Sequence, residues 1–126
     1  MRPSVLITED DASIRMLVRK TLGIGDVEFD LYEADSGAGA VEMTRRVRPG
    51  IVVMDISMPG EFDGLEACRR IKGDPALERT VVIMLTASNA QQDCLDAKAA
   101  GADAYLVKPF SPLKLLDMVS EFSASN

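Results

Sequence analysis

Three uninterrupted apolar runs, Val5-Leu6-Ile7, Ile51-Val52-Val53-Met54 and Val81-Val82-Ile83-Met84-Leu85, constrain this chain more than any other feature. None alternates with polar residues, and all three are rich in β-branched side chains. A strand with one face in water alternates apolar and polar positions; a strand covered on both faces does not. The runs therefore call for a parallel sheet buried between two helical layers. A fourth segment, 27–32, does alternate and reads as a half-exposed edge strand. A fifth, Ala104-Tyr105-Leu106-Val107, is short and fits the opposite edge.

Helical patterns separate these segments. Ile14, Leu17, Val18 and Thr21 follow i, i+3, i+4, i+7 spacing, and Leu115, Met118, Val119 and Phe122 repeat it, which predicts two amphipathic helices. Ser111-Pro112 reads as an N-cap and first helical residue, and Gly101 as a helix C-terminal stop. Stretches 38–47, 65–72 and 91–100 are helical by composition. Five successive βα units predict an α/β fold: a doubly wound, flavodoxin-like, five-stranded parallel sheet of order 2-1-3-4-5 with helices on both faces. At 126 residues the chain is expected to form a single domain over 1–126, with one ordinary core.

That strand order puts the ligand crevice at the C-terminal ends of strands 1 and 3, just after Thr8 and near Asp55. Glu9-Asp10-Asp11 follow strand 1 directly, and Asp55 ends strand 3. Two carboxylates about 4 Å apart repel by about 4 kcal/mol at an effective dielectric near 20. Such a cluster needs a cation, a proton or a lysine, and hard oxygen ligands in a crevice open to phosphate suit Mg²⁺. Solvated acids capping the first helix, with Asp11 or Ser13 as N-cap, would explain one carboxylate but not four. Strand 4 ends in Thr86-Ala87-Ser88, whose hydroxyls and backbone N–H groups can hold a phosphoryl oxygen, although alone this is an ordinary turn. Strand 5 ends in Lys108-Pro109-Phe110, which offers a cation to the cluster and a candidate cis bond before Pro109.

Composition removes other classes. Fourteen basic against 20 acidic residues give a net charge of −6, which argues against direct nucleic-acid binding. Arg45-Arg46-Val47-Arg48 is a short basic cluster and reads as a solvated helix end. There is no histidine, which excludes histidine catalysis, histidine metal sites and a phosphohistidine carrier. Cys68 and Cys94 have neither metal spacing nor a disulfide framework and are expected to stay reduced in a cytoplasmic protein. The first eight residues run into three acids and do not read as a signal peptide, and no run of 18 apolar residues is available for a membrane span.

Taken together and in order, the segments Val5-Leu6-Ile7-Thr8-Glu9-Asp10-Asp11, Val52-Val53-Met54-Asp55-Ile56-Ser57-Met58-Pro59, Asp63-Gly64, Leu85-Thr86-Ala87, Gly101-Ala102 and Leu106-Val107-Lys108-Pro109-Phe110 carry a resemblance. From Val5 to Phe122 the chain resembles the receiver domain of two-component response regulators, of the chemotaxis type. The resemblance implies that Asp55 accepts a phosphoryl group from a histidine kinase or histidine phosphotransfer protein. It implies Mg²⁺ held by Asp10, Asp55 and the backbone carbonyl of Ser57, with Glu9 acting through a metal-bound water. It gives Lys108 and Thr86 catalytic roles, places Ala87, Ser57 and Ser88 about the phosphoryl group, and makes Thr86 and Tyr105 the switch pair. A phosphorylated receiver is then expected to alter its helix 4, strand 5 and helix 5 surface for a downstream output domain or protein.

One departure stands out. Three residues, Gly60, Glu61 and Phe62, separate Met-Pro from Asp-Gly, where the family usually has two. Asp55 and Ser57 precede the insertion, so the catalytic positions should survive and the expected effect falls on partner docking near that loop and the start of helix 3, with Phe62 either exposed or tucked against that helix. Other readings of the topology fit less well. A flavin mononucleotide site would be repelled by three carboxylates after strand 1. An aspartyl-phosphate phosphatase would want an acid where Ser57 stands. A receiver-like module working by contact alone has no use for the set Asp10, Asp55, Thr86 and Lys108.

Overall fold

The computed structural model describes residues 2–87 and 91–125. The elements are β1 (Ser4–Thr8), α1 (Ala12–Gly23), β2 (Asp30–Ala34), α2 (Gly37–Val47), β3 (Ile51–Asp55), α3 (Gly64–Lys72), β4 (Val81–Thr86), α4 (Gln91–Ala99), β5 (Ala104–Val107) and α5 (Pro112–Ser125), with a 3₁₀ turn at Pro75–Leu77. All strand pairs are parallel, in the order β2-β1-β3-β4-β5.

The uninterrupted apolar runs have a simple use. Alternate residues of each central strand enter different cores. Leu6, Val52, Met54, Val82 and Met84 face Ala40 and Val41 of α2, Ala67, Cys68 and Ile71 of α3 and Ala97 of α4. Val5, Ile7, Ile51, Val53, Ile83 and Leu85 face Val18 and Leu22 of α1 and Leu115 and Val119 of α5. Both strand faces are dry, so both must be apolar. The sheet order and two-sided helical cover match the sequence reading.

Local signals set most boundaries. Asp11 caps α1, its side chain accepting from Ser13 N at 2.8 Å. Ser36 caps α2, Asp63 caps α3 and Ser111 accepts from Lys114 N at the start of α5. Gly101 takes φ +93° after α4, a conformation that favours glycine. The Lys108–Pro109 peptide is cis.

Two expectations need correction. The second strand runs over Asp30–Ala34, not 27–32, because Asp30 N bonds to Pro3 O at 2.9 Å and starts the ladder opposite Ser4. Val27 and Phe29 precede that ladder, and Val27 is exposed. Nor does the first helix bury all of its periodic stripe. Val18, Thr21 and Leu22 point inward, whereas Leu17 is 46% exposed and lines a shallow hollow with Ile14, Pro109 and Phe110. Its contacts with α5 and the sheet turn the buried arc toward Leu22, and composition does not reveal that rotation.

Candidate functional site

Strand register brings the acids together. Thr8 pairs with Met54, so the residues after β1 emerge beside the end of β3. Asp55 pairs with Leu85, so it points to the α1/α5 side of the sheet, where Leu85 packs. Carboxylate oxygens of Glu9, Asp10 and Asp55 all lie within 4.8 Å of one another. Glu9 is 2% exposed and Asp55 5%, while Asp10 is open to solvent.

Among the described residues, one ammonium group serves this cluster. Lys108 Nζ lies 2.7 Å from Asp55 Oδ2 and 3.4 Å from Glu9 Oε1. The loop carrying it is held to β4 by Lys108 N donating to Thr86 O at 2.7 Å. Asp55 Oδ1 accepts the backbone N–H of Ser57 at 3.1 Å. Glu9 Oε2 is buried and has no hydrogen-bond partner among the described residues. An orphaned buried carboxylate oxygen costs free energy unless a proton or a cation supplies what is missing.

The titration of the site reflects this imbalance. Burial first, and then the neighbouring Asp55 carboxylate, push Glu9 up to about 8, with Lys108 pulling the other way. Burial works to lower Lys108, but its hydrogen bond and charge interaction with Asp55, helped by Glu9, outweigh it and raise its pKa. The ammonium form is therefore strongly favoured, and the donor set of three hard carboxylates with an unsatisfied oxygen fits a small divalent cation.

The other expected residues lie around this centre. Thr86 is fully buried at the end of β4, Ala87 is exposed just beyond it, and Ser57 is exposed beyond β3. Ser88 lies outside the described residues. Tyr105 pairs with Met84, two residues before Thr86, so both side chains belong to the α4 side of the sheet as diagonal neighbours. The Tyr105 ring is outward, 43% exposed, and the adjacent Cys94 of α4 raises its phenol pKa. Phe62, in the lengthened loop, is half-buried under Arg70, whose guanidinium lies 4.0 Å from the ring centroid. It tucks against α3 rather than standing free.

Gly64 has a geometric role that its place in the Asp63-Gly64 pair did not explain. A Cβ there would collide with Asp55 O, and Gly64 N donates to Ile56 O at 2.9 Å. The start of α3 thus rests directly on the backbone of Asp55, a closeness only glycine permits.

The comparisons with known proteins agree with this arrangement. A family model described as the response regulator receiver domain matches residues 5–120. The chain is 37% identical over 121 residues to the chemotaxis protein CheY of Bacillus subtilis, covering 96% of this chain and 98% of that one. It is 34% identical over 119 residues to the phosphate regulon transcriptional regulatory protein PhoB of Rhizobium meliloti, covering 94% of this chain and 51% of PhoB. It thus spans about half the length of the transcriptional regulators it matches. The structure of the chemotaxis response regulator CheY4 of Vibrio cholerae superposes with a TM-score of 0.86 at 28% identity, over 97% of this chain and 99% of that one. A match from the first strand to the last helix, on the fold and acidic crevice described above, has one meaning: the chain belongs to the response regulator receiver domain family of two-component signalling.

Proposed function

We propose that Asp55 is the phosphoacceptor of a single receiver domain, taking a phosphoryl group from a histidine kinase or histidine phosphotransfer protein. The observation that carries this reading is the convergence of Glu9, Asp10 and Asp55 within 4.8 Å around one lysine. Asp55 would attack phosphorus in line, forming an O–P bond as the P–N bond to the donor imidazole breaks. Lys108, whose Nζ lies 2.7 Å from Asp55 Oδ2, offers positive charge to the phosphoryl oxygens. Asp10, Asp55 and the Ser57 carbonyl would hold Mg²⁺, with Glu9 acting through water; when bound, the ion supplies the positive charge that the carboxylates lack. The Ala87 N–H, with Ser57 and Ser88, would line the phosphoryl group.

Thr86 and Tyr105 give the output. A phosphoryl group on Asp55 would draw the Thr86 hydroxyl toward it and vacate space for the Tyr105 ring to turn inward. That biases a two-state surface of α4, β5 and α5 toward a downstream protein or output domain. The domain catalyses only its own phosphoryl transfer and loss, as a cytoplasmic signalling module. No helix among the described residues is long and apolar enough to cross a membrane.

The test is intact mass after incubation with a small phosphodonor, with and without Mg²⁺. The expected result is a Mg²⁺-dependent gain of one phosphoryl group by the wild type and none by Asp55→Asn. No gain in the wild type, with Mg²⁺ binding intact, would favour a module acting by contact alone. Turnover of a phosphomonoester would favour the phosphatase.

A further inference from the structure

The acidic turn after β1 has a support that no motif marks. Arg15, in the second turn of α1, is only 22% exposed. Its Nη1 donates to the backbone carbonyl of Glu9 at 2.7 Å, and its Nε to Glu33 Oε1 at 3.2 Å. Glu33, in β2, is itself held by Arg19 Nη1 at 3.0 Å. The N–H of Glu9 donates to Ala34 O at 3.1 Å. Both peptide groups of Glu9 are therefore tied, one to β2 and one to α1. Asp11 is tied as well: its side chain caps Ser13 and Ile14, and its carbonyl accepts from Arg15 N at 3.0 Å. Asp10 sits between two anchored residues.

We infer that Arg15 is a positioning residue for the cation site: through the Glu9 carbonyl it holds the Glu9-Asp10 turn in binding geometry, and Glu33 holds Arg15. This rests on the reading of Glu9, Asp10 and Asp55 as that site. An ordinary surface Arg–Glu pair contributes little and needs no third partner. Here a planar guanidinium presents one N–H to a carbonyl and another to a carboxylate at once. A lysine carries the same charge on a single nitrogen and cannot reproduce that fork. Outer groups of this kind, which orient metal ligands without touching the metal, typically govern affinity by 10–100-fold.

The charge of Arg15 opposes cation binding and its geometry favours it, so Arg15→Lys separates the two. Mg²⁺ would be titrated calorimetrically into the wild type, Arg15→Lys, Arg15→Met, Arg19→Met and Asp10→Asn. We expect both Arg15 variants to raise the Mg²⁺ Kd by about tenfold. Their phosphorylation rate at saturating Mg²⁺ should stay near the wild-type rate. Arg19→Met, which removes another partner of Glu33 but touches nothing of Glu9, should bind like the wild type. Arg15→Lys keeps the charge and the aliphatic stem and serves if Arg15→Met does not fold. Arg15 variants that bind like Arg19→Met, while Asp10→Asn loses affinity, overturn the inference and leave the cation site standing. An Asp10→Asn variant that binds like the wild type overturns the cation site, and the inference with it.

Discussion

Two lysines at opposite ends of the sheet are about equally buried, Lys72 at 21% and Lys108 at 19% side-chain exposure, and their surroundings differ in one respect. Lys72 Nζ meets Asp103 Oδ2 and Thr80 O, each at 2.9 Å, and the same Asp103 oxygen accepts from Val82 N at 2.8 Å. One ammonium faces one carboxylate, and both have further partners. Lys108 faces two carboxylates, with a third nearby and a buried oxygen left over. The first end is balanced and ties α3, β4 and the turn before β5 together. The second carries surplus negative charge that only another cation or a proton relieves. Structural ion pairs and functional ones use the same residue types; unmatched charge separates them.

The comparison breaks most sharply by substitution at each end. Asp55→Asn should abolish phosphoryl acceptance, whereas Asp103→Asn should leave it within about twofold of the wild type, as intact mass will show. An Asp103→Asn variant that fails to accept would remove the distinction. Gly64→Ala should affect both stability and acceptance, because its Cβ would meet the Asp55 carbonyl. We expect a loss of about 2–4 kcal/mol in urea denaturation and slower phosphorylation.

Stability should move in opposite directions at the two ends. Asp103→Ala removes the carboxylate facing Lys72, leaving its ammonium only Thr80 O, and takes the side-chain acceptor from the Val82 N–H, and should destabilise by about 2 kcal/mol. Asp10→Asn relieves repulsion and should stabilise the metal-free protein by about 1 kcal/mol. A destabilised Asp10→Asn would show that the cluster is a structural element after all.

Proton linkage sharpens the same point. Glu9 is held near 8 in the folded, metal-free protein and returns to about 4.5 on unfolding. The folded state therefore keeps a proton that the unfolded chain releases. That contribution is fully present below about pH 4.5 and is lost as pH rises through about 8. Thermal denaturation without metal should give a lower Tm at pH 8.5 than at pH 6, and Glu9→Gln should flatten this difference. Added Mg²⁺ should raise Tm most at the higher pH, where no proton competes for Glu9. The smallest effect concerns the thiols. Burial pushes Cys68 up to about 11, and it sits in the α2/α3/α4 core, so a thiol reagent at pH 8 should label Cys94 alone until the protein unfolds.

Much of this architecture was legible in the sequence for a physical reason. Five strands buried on one or two faces leave period and composition signatures, and strand order then places Glu9, Asp10, Asp55 and Lys108 at one end. The parts not legible depend on contacts between distant segments. The ladder beginning at Asp30 is set by Pro3, and the outward turn of Leu17 by what α1 packs against. Arg15 and Arg19 stand one helical turn apart, which hints at a shared partner, but only the fold shows that Glu33 is that partner and Glu9 the beneficiary. Gly64 entered the sequence reading only as part of the Asp63-Gly64 segment of the receiver resemblance, and only the fold shows Asp55 lying against it.

The most direct test is to locate the phosphoryl group. Borohydride reduction of the phosphorylated protein converts an aspartyl phosphate to homoserine, and peptide mass mapping then finds it. The account predicts homoserine at position 55 alone, formed only in the presence of Mg²⁺. Homoserine at position 10 or 103, or reduction at none of the aspartates in a protein shown to carry phosphate, would contradict it.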